Sequence, residues 1–224
     1  MPLYGLIFDV DGLIANTEPL NARVTIQIFK DLFGVQGMQP ADFDAGLGRG
    51  AEAYVRAGAA VRGIPLSEAQ VVEGARLREQ YLVKAIRKEG VPGFPGVLGL
   101  INAGLARPDF RLAVATSASH ELAQAMLEST GVPYQRMSCV FGDQVRRKKP
   151  DPEIFLAASR KIGVQPGRCV VFEDSPSGVQ AAKAAGSHCV AVTNTVKAEE
   201  LSGADLVCNS LETVGVDAIL RMIN

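Results

Sequence analysis

The segment Leu3-Tyr4-Gly5-Leu6-Ile7-Phe8-Asp9-Val10-Asp11-Gly12 is the strongest indication of the fold class of this chain. It is an apolar run of strand length that ends abruptly in two acidic residues and a glycine. An apolar run without polar alternation is typical of a strand buried on both faces, as in a parallel sheet. Because ligands of open α/β sheets bind at the carboxyl ends of the strands, Asp9 and Asp11 are the first candidate site residues.

Similar apolar runs recur along the rest of the chain, and helical patterns separate most of them. The predicted further strands are 112–115, 140–141, 170–172, 189–192 and 206–207. The predicted helices between and after them are 121–129, 152–162, 177–185 and 213–223. Strands that alternate with helices indicate an α/β fold, here a Rossmann-like parallel sheet with helices on both faces.

Residues 17–89 interrupt this alternation, since no convincing strand occurs in them. Three helical windows take its place, at 18–33, 51–61 and 67–88. This pattern predicts an all-helical cap domain (17–89) inserted into a catalytic core made of residues 1–16 and 90–224. The Gly- and Pro-rich segment 90–96 is then the linker that returns to the core.

The composition restricts the possible partners. Lys and Arg number 23 and Asp and Glu 24, which gives a net charge of −1, so nothing indicates binding to nucleic acid or to an anionic membrane. Hydrophobic residues (47%) and charged residues (21%) are near the average of globular proteins, which excludes a disordered chain. The apolar runs are too short to cross a bilayer.

The cysteines and the N-terminus predict a cytoplasmic location. Four cysteines stand far apart without a CxxC pair, which favours buried free thiols in a reducing compartment. The first residues lack the basic start and long apolar stretch of a signal peptide. No stripe of residues suggests a dimer interface, so a monomer is the default expectation.

Polar side chains follow four of the predicted strands. They are Asp9 and Asp11 after the first, Thr116 and Ser117 after the second, Lys149 past the third, and Glu173 and Asp174 after the fourth. Two like charges 4 Å apart repel by about 4 kcal/mol at an effective dielectric constant of 20. Lys149 offsets part of this repulsion, and oxygen-only ligands favour Mg²⁺ for the rest. Mg²⁺ in turn favours a phosphate as a further ligand.

These residues carry a resemblance to a known family. Asp9-x-Asp11-Gly12, Thr116-Ser117, Lys149-Pro150 and Glu173-Asp174-Ser175-Pro176-Ser177-Gly178 match in order the four motifs of the haloacid dehalogenase superfamily. The helical insertion directly after the first motif resembles the cap of its phosphoglycolate phosphatase and β-phosphoglucomutase branch. The resemblance covers essentially the whole chain.

The resemblance implies phosphoryl transfer through an aspartyl-phosphate. It implies Asp9 as the nucleophile, Asp11 as the general acid and base, and Lys149 as the group that neutralises charge. Thr116, with Ser117, would bind the phosphoryl group. The implied Mg²⁺ ligands are the carboxylates of Asp9 and Asp174 and the main-chain carbonyl of Asp11, with Glu173 either a direct ligand or one shell further out.

The expected reaction is the hydrolysis of a small phosphomonoester, such as a sugar phosphate or a similar metabolite. Arg49, in a Gly-rich loop of the cap, and Arg78, on a cap helix, are candidate substrate-binding residues, as is Asn21. Asn21 stands where β-phosphoglucomutase-like proteins have a histidine, which disfavours a hexose-phosphate mutase. The mutase is therefore the alternative enzyme, and a non-catalytic phospho-ligand-binding module is the alternative of another class.

Overall fold

The computed structural model describes residues 2–46 and 50–223, which form two compact units. Residues 2–16 and 91–223 make the α/β unit. Thr17–Gly90 make the helical unit. In the described part of the chain, no helix is both long enough and apolar enough to cross a membrane.

One parallel sheet organises the α/β unit. Its strands within the described residues are β1 (Tyr4–Phe8), β2 (Phe110–Ala115), β3 (Ser138–Val140), β4 (Cys169–Glu173), β5 (His188–Val192) and β6 (Leu206–Cys208). They are arranged in the order β3-β2-β1-β4-β5-β6, and every neighbouring pair is parallel. The chain builds outward from β1 in one direction and then from β4 in the other, so the strand order reverses beside β1. Such a reversal leaves a crevice at the carboxyl ends of the two strands.

Helices cover both faces of this sheet. They are α4 (Val97–Leu105), α5 (His120–Thr130), α6 (Glu153–Ile162), α7 (Pro176–Ala184) and α8 (Val216–Ile223). Ile7 packs on one face in a cluster with residues of α6 and α7. Leu6 points to the other face, towards Gly104 of α4. Since successive strand residues point to opposite faces, β1 is buried on both sides, which explains its unbroken apolar sequence.

Among the described strands and α-helices of the sheet unit, helix α4 is the one that the sequence pattern did not predict. Its sequence, Val-Leu-Gly-Leu-Ile-Asn-Ala-Gly-Leu, is apolar on nearly all sides and contains two glycines, so it lacks an amphipathic signature. Gly104 is explained by packing: a Cβ at this position would lie 2.9 Å from Leu6 Cδ1 and 3.2 Å from Leu112 Cδ1. The glycine therefore lets the helix approach the sheet closely.

The helical unit has a core of its own. Its described helices are α1 (Glu18–Phe33), α2 (Ala51–Val61) and α3 (Glu68–Glu89), joined in part by a 3₁₀ segment at Pro40–Gly46. Phe29, Phe43, Tyr54 and Val55 are buried together at its centre. Ser67 starts α3 with a capping box, accepting from the backbone N–H of Gln70 at 3.3 Å.

Candidate active site

Asp9 lies at the end of β1, in the middle of the sheet. Its backbone N–H donates to Phe172 O at 3.1 Å, and its side chain is buried. The register pairs Phe8 with Val114 and with Phe172, so Asp9 lies level with the ends of β2 and β4. The following turn is closed by the N–H groups of Ile14 and Ala15, which both donate to Val10 O at 2.9 Å.

Lys149 joins the first and fourth motifs. Its Nζ donates to Asp9 Oδ1 and, at 2.5 Å, to Glu173 Oε1, and its side chain is only 7% exposed. The loop that carries it is folded back onto α6, because the carboxylate of Glu153 accepts from the backbone N–H groups of Arg146 and Arg147, each at 3.0 Å. This contact holds the loop in the position from which Lys149 reaches Asp9.

Both carboxylate oxygens of Glu173 accept hydrogen bonds from the protein. Its Oε1 faces Lys149, and its Oε2 accepts from the backbone N–H groups of Asp174 (3.0 Å) and Ser175 (3.2 Å) and from Ser175 Oγ (3.0 Å). Ser175 also caps α7 by accepting from Gly178 N at 3.1 Å. A Cβ on Gly178 would lie 2.0 Å from Glu173 Oε1, so only glycine allows the helix to start this close to the carboxylate.

Asp174 is fixed by the loop that follows β5. Thr195 Oγ1 lies 2.6 Å from Asp174 Oδ2 and 2.8 Å from its main-chain oxygen. Asn194 Nδ2 donates to Gly12 O at 2.8 Å. Gly12 has a φ of 84°, and a Cβ there would lie 2.0 Å from Asp174 Oδ2. The turn after β1 and the carboxylate after β4 are therefore in direct contact.

Thr116 and Ser117 continue β2 at the same edge of the sheet. Thr116 is buried, and its Oγ1 accepts from Ala118 N at 3.2 Å. Gly142, after β3, supports this segment: its N–H donates to Ala118 O at 2.8 Å, and a Cβ there would lie 2.1 Å from Ser117 O. Ser117 is half-buried, and α5 begins three residues later, so backbone N–H groups gather beside the two hydroxyls.

Burial and, to a smaller extent, the neighbouring carboxylates raise the pKa values of Asp9 and Asp174. Burial, followed by the neighbouring Glu173 and Asp11, raises the pKa of Asp9 to about 7 in spite of Lys149. Burial and the charges of Glu173 and Asp9 raise the pKa of Asp174 well above its ordinary value. Burial alone would lower the pKa of Lys149, but its two carboxylate partners outweigh burial and hold its pKa above the ordinary range. One ammonium therefore faces several carboxyl groups, and their negative charge is only partly compensated.

This excess of carboxylate oxygens fits a hard divalent cation. Over residues 2–46 and 50–223, no three His, Cys, Asp or Glu side chains form a complete metal-binding group by themselves. Mg²⁺ does not require one, because it is characteristically held by one or two carboxylates and keeps water or phosphate on its other positions. The pKa values of Asp9 and Asp174 are raised, and a bound cation would lower them by stabilising the ionised carboxylates.

Comparison with known proteins identifies the family. The haloacid dehalogenase-like hydrolase family matches residues 5–186. This chain is a haloacid dehalogenase-like hydrolase. The predicted family is thereby confirmed, and the parallel sheet confirms the predicted α/β fold. The predicted enzyme class, a phosphoric monoester hydrolase, is confirmed by relatives that are named as phosphatases.

Three proteins illustrate the similarity of this hydrolase to known relatives. Fructose-1-phosphate phosphatase YqaB of Escherichia coli is 34% identical, over 84% of this chain and 95% of its own length. Protein SUPPRESSOR OF QUENCHING 1 of Arabidopsis thaliana is 32% identical over 96% of this chain, which spans only 20% of that longer protein. The structure of a CbbY mutant from Rhodobacter sphaeroides with xylulose-(1,5)bisphosphate has a TM-score of 0.81 and 26% identity, and covers 97% of this chain and 99% of its own.

Two of the three predicted cap residues of the hydrolase are among the described residues, and both lie in the helical unit. Asn21 and Arg78 are both buried there, and Arg78 Nη2 donates to Asn21 Oδ1 at 2.6 Å. Asn21 Nδ2 donates to Thr17 Oγ1 at 2.9 Å, and the guanidinium of Arg78 lies 4.8 Å from the ring centre of Tyr54. Arg49 lies outside the described residues. Substrate binding by these three residues stays a prediction.

The structure adds side chains that the sequence analysis did not single out. Asn194 and Thr195 follow β5, so the rule that drew attention to the other strand ends would have found them as well. Gly142 carries no functional group, and only the close approach of Ser117 O shows why it is a glycine. Gly178 already belongs to the fourth motif, and its contact with Glu173 gives the reason for that glycine. Glu153 looks like an ordinary first-turn acid of a helix until its contacts with the preceding loop are seen.

Proposed function

We propose that this hydrolase cleaves a small phosphomonoester, of the sugar phosphate class, through an aspartyl-phosphate formed on Asp9. The observation that carries the proposal is the setting of Asp9. One of its oxygens is held by Lys149, while Oδ2 accepts no hydrogen bond from any described residue. A second acid, Asp11, follows two residues later and is half-buried. A nucleophile and a proton donor thus share one turn.

The proposed reaction has two steps. Asp9 Oδ2 attacks phosphorus, the bond from phosphorus to the substrate oxygen breaks, and Asp11 gives its proton to the departing oxygen. Asp11 then takes a proton from a water molecule, whose oxygen attacks phosphorus and releases inorganic phosphate and free Asp9. Lys149 holds the orientation of Asp9 and compensates charge. Thr116 and Ser117 offer hydroxyl and N–H groups to the phosphoryl oxygens.

We also propose that Asp9, Asp174 and the main-chain carbonyl of Asp11 hold Mg²⁺. When bound, Mg²⁺ supplies positive charge against the phosphoryl oxygens. Glu173 is proposed to orient the site from one shell further out, since both of its oxygens already accept from donors of the protein. Gly12 N donates to Ala15 O at 3.0 Å, which fixes the peptide plane that carries the Asp11 carbonyl.

The substrate class rests on the names of the relatives. YqaB is named for fructose 1-phosphate, and the CbbY structure contains xylulose 1,5-bisphosphate. Arg49, Arg78 and Asn21 are proposed to bind the part of the substrate beyond the phosphoryl group.

We further propose that the protein is cytoplasmic and monomeric. Cell fractionation tests the location, and light scattering tests the oligomeric state.

The deciding experiment is phosphate release from a panel of esters, with Mg²⁺ and with EDTA. The panel holds fructose 1-phosphate, xylulose 1,5-bisphosphate, a phosphoserine peptide and glucose 1-phosphate with a trace of glucose 1,6-bisphosphate. We expect Mg²⁺-dependent release from sugar phosphates and none from the peptide. Formation of glucose 6-phosphate without phosphate release would instead identify a mutase, and phosphate binding without turnover would identify a binding module.

Asp9→Asn tests the nucleophile directly. The substitution keeps the side-chain volume and removes the attacking carboxylate, so we expect kcat to fall by at least about 10³-fold while the circular dichroism spectrum is unchanged. Asp31→Asn, at an exposed position of α1, is the matched control and should keep full activity. Turnover by Asp9→Asn at the wild-type rate would contradict an aspartyl-phosphate.

A further inference from the structure

The loop after β5 supplies the hydroxyl that contacts Asp174. Thr195 Oγ1 carries one proton and lies within hydrogen-bonding distance of both Asp174 Oδ2 (2.6 Å) and Asp174 O (2.8 Å). Asp174 Oδ1 accepts no hydrogen bond from any described part of the chain. The two oxygens of this carboxylate are therefore not equivalent: one is held by the protein and the other is left for a ligand.

Packing prevents the carboxylate from turning away from Thr195. Gly12 lies so close that a Cβ there would come within 2.0 Å of Asp174 Oδ2 and 2.9 Å of Thr195 Cγ2. Asn194, the neighbour of Thr195, holds Gly12 through the hydrogen bond from its Nδ2 to Gly12 O. Asp174 Oδ2 thus lies between the turn after β1 and the loop after β5.

The loop itself is tied to the sheet. Thr193 N donates to Cys208 O at 3.0 Å, which continues the ladder between β5 and β6. Thr193 Oγ1 donates to Asn209 Oδ1, also at 3.0 Å. Because both bonds fix the residue two positions before Thr195, the Thr195 hydroxyl starts from an ordered backbone and can act as a stationary donor.

We propose that Thr195 is a positioning residue for the cation site: its hydroxyl holds Asp174 Oδ2 and thereby directs Oδ1 to Mg²⁺. This inference rests on the proposed function. Hydrogen bonds to the second oxygen of a ligating carboxylate typically change metal affinity 10- to 100-fold when they are removed. The expected effect of losing the Thr195 hydroxyl is thus about a tenfold weaker affinity for Mg²⁺.

The test compares Thr195→Val, which keeps the shape and removes the hydroxyl, with Thr195→Ser, which keeps the hydroxyl and removes the methyl group. Mg²⁺ affinity is measured without substrate, from the rise of Tm during a Mg²⁺ titration. It is then measured again from the Mg²⁺ dependence of phosphate release. We expect Thr195→Val to weaken Mg²⁺ about tenfold in both assays. Thr195→Ser should stay within about twofold of the wild type, because the donor is kept.

The results separate the positioning role of Thr195 from the proposed function of the protein. Equal Mg²⁺ affinity of Thr195→Val and wild type would overturn the positioning role and leave the proposed function intact. Equal weakening by both variants would overturn it too, because the methyl group and not the hydroxyl would then matter. A wild-type chain that neither binds Mg²⁺ nor releases phosphate would overturn the proposed function itself. If Thr195→Val does not fold, Thr195→Ala removes the hydroxyl without adding a group and takes its place.

Discussion

At the scale of single residues, Lys149 is notable because its charged ammonium is buried between two carboxylates. Its buried ammonium faces Asp9 and Glu173, and its Nζ also lies 4.8 Å from the ring centre of Phe155. The attraction of the two carboxylates outweighs the loss of water around the ammonium and holds the pKa of Lys149 above its ordinary range. If the ammonium is removed, two buried carboxylates are left to repel each other without a counter-charge.

Lys149→Met should therefore cost both stability and activity. Breaking a buried ion pair on one side typically costs about 3 kcal/mol, and we expect a loss of that order in the free energy of unfolding. Urea denaturation at pH 7 measures it. The double variant Lys149→Met/Glu173→Gln should recover part of the loss, because it removes one of the two unpaired charges. A double variant less stable than Lys149→Met would show that charge repulsion is not the cause.

At the scale of elements, glycines decide how closely a helix approaches its neighbours. Gly178 allows the first turn of α7 to touch Glu173, whereas Gly99 on α4 has nothing within 4 Å of its Cβ position. Both lie in helices, where alanine is intrinsically better than glycine. The two positions should therefore respond in opposite directions to the same substitution.

Gly178→Ala should destabilise the fold and lower kcat, because the new methyl group would displace the Glu173 carboxylate and with it Lys149. Overpacking of this kind costs about 1–3 kcal/mol. Gly99→Ala, the matched control, should stabilise the fold by about 0.8 kcal/mol and leave kcat unchanged. Urea denaturation and phosphate release measure both variants. If Gly178→Ala kept wild-type kcat, the close contact between Gly178 and Glu173 would not be needed for catalysis.

The carboxylate of Asp205 connects α7 to β5. Asp205 accepts from Lys183 Nζ on α7 and from Cys189 N on β5, each at 2.7 Å. Partial burial raises the pKa of Asp205, but these donors outweigh it and leave the pKa below its ordinary value of 3.8. Because the folded pKa is lowered, the stabilisation is complete above that ordinary value and is lost as the pH falls through the folded pKa.

Asp205→Asn should accordingly be less stable than the wild type by about 1 kcal/mol at pH 7, since it weakens hydrogen bonds to an ionised group. The difference should shrink below pH 4 as the wild-type carboxylate takes up its proton. Unfolding in urea between pH 7 and pH 2.5 measures it. A difference that is constant across this range would show that the charge of Asp205 contributes nothing.

At the scale of the whole molecule, the described residues of each unit form a hydrophobic core of their own. The core of the helical unit is built around Phe43, which stacks on Tyr54 with ring centres 5.1 Å apart and also contacts Phe29. The core of the sheet unit includes Ile7, Ile154 and Val171 in a separate cluster. Because each unit buries its own apolar residues, each should respond to damage in its own core.

Phe43→Ala should loosen the helical unit selectively. Loss of a buried phenylalanine costs about 3–5 kcal/mol, so amide hydrogen exchange should accelerate within 17–90 while the strands of the sheet stay protected. Ile154→Ala should produce the reverse pattern. Hydrogen exchange followed by mass spectrometry measures both. Equal acceleration in the two units would show that they open as one cooperative structure.

The candidate site was predictable to the extent that its residues follow strands. Asp9, Thr116, Lys149 and Asp174 could be grouped from the sequence because parallel strands end at one edge and their polar side chains must meet there. Whether Glu173 reaches a cation could not be decided in this way. Its role depends on which donors occupy its oxygens, and those donors are arranged by the start of α7 and by the loop of Lys149.

The amino-acid sequence was sufficient to predict the class of fold, the insertion of a helical unit after β1 and the identity of the acidic residues around the site. These features depend on hydrophobic periodicity and on the order of motifs, both of which are local properties of the chain. Other features become visible only in the folded chain: α4, the glycine contacts of α7, and the hydrogen bonds from the loop after β5 to Asp174 and Gly12. They depend on distances between residues far apart in the chain, which Thr195 and Asp174 illustrate at 2.6 Å. No local pattern encodes such distances, because they arise only when the separate elements pack together.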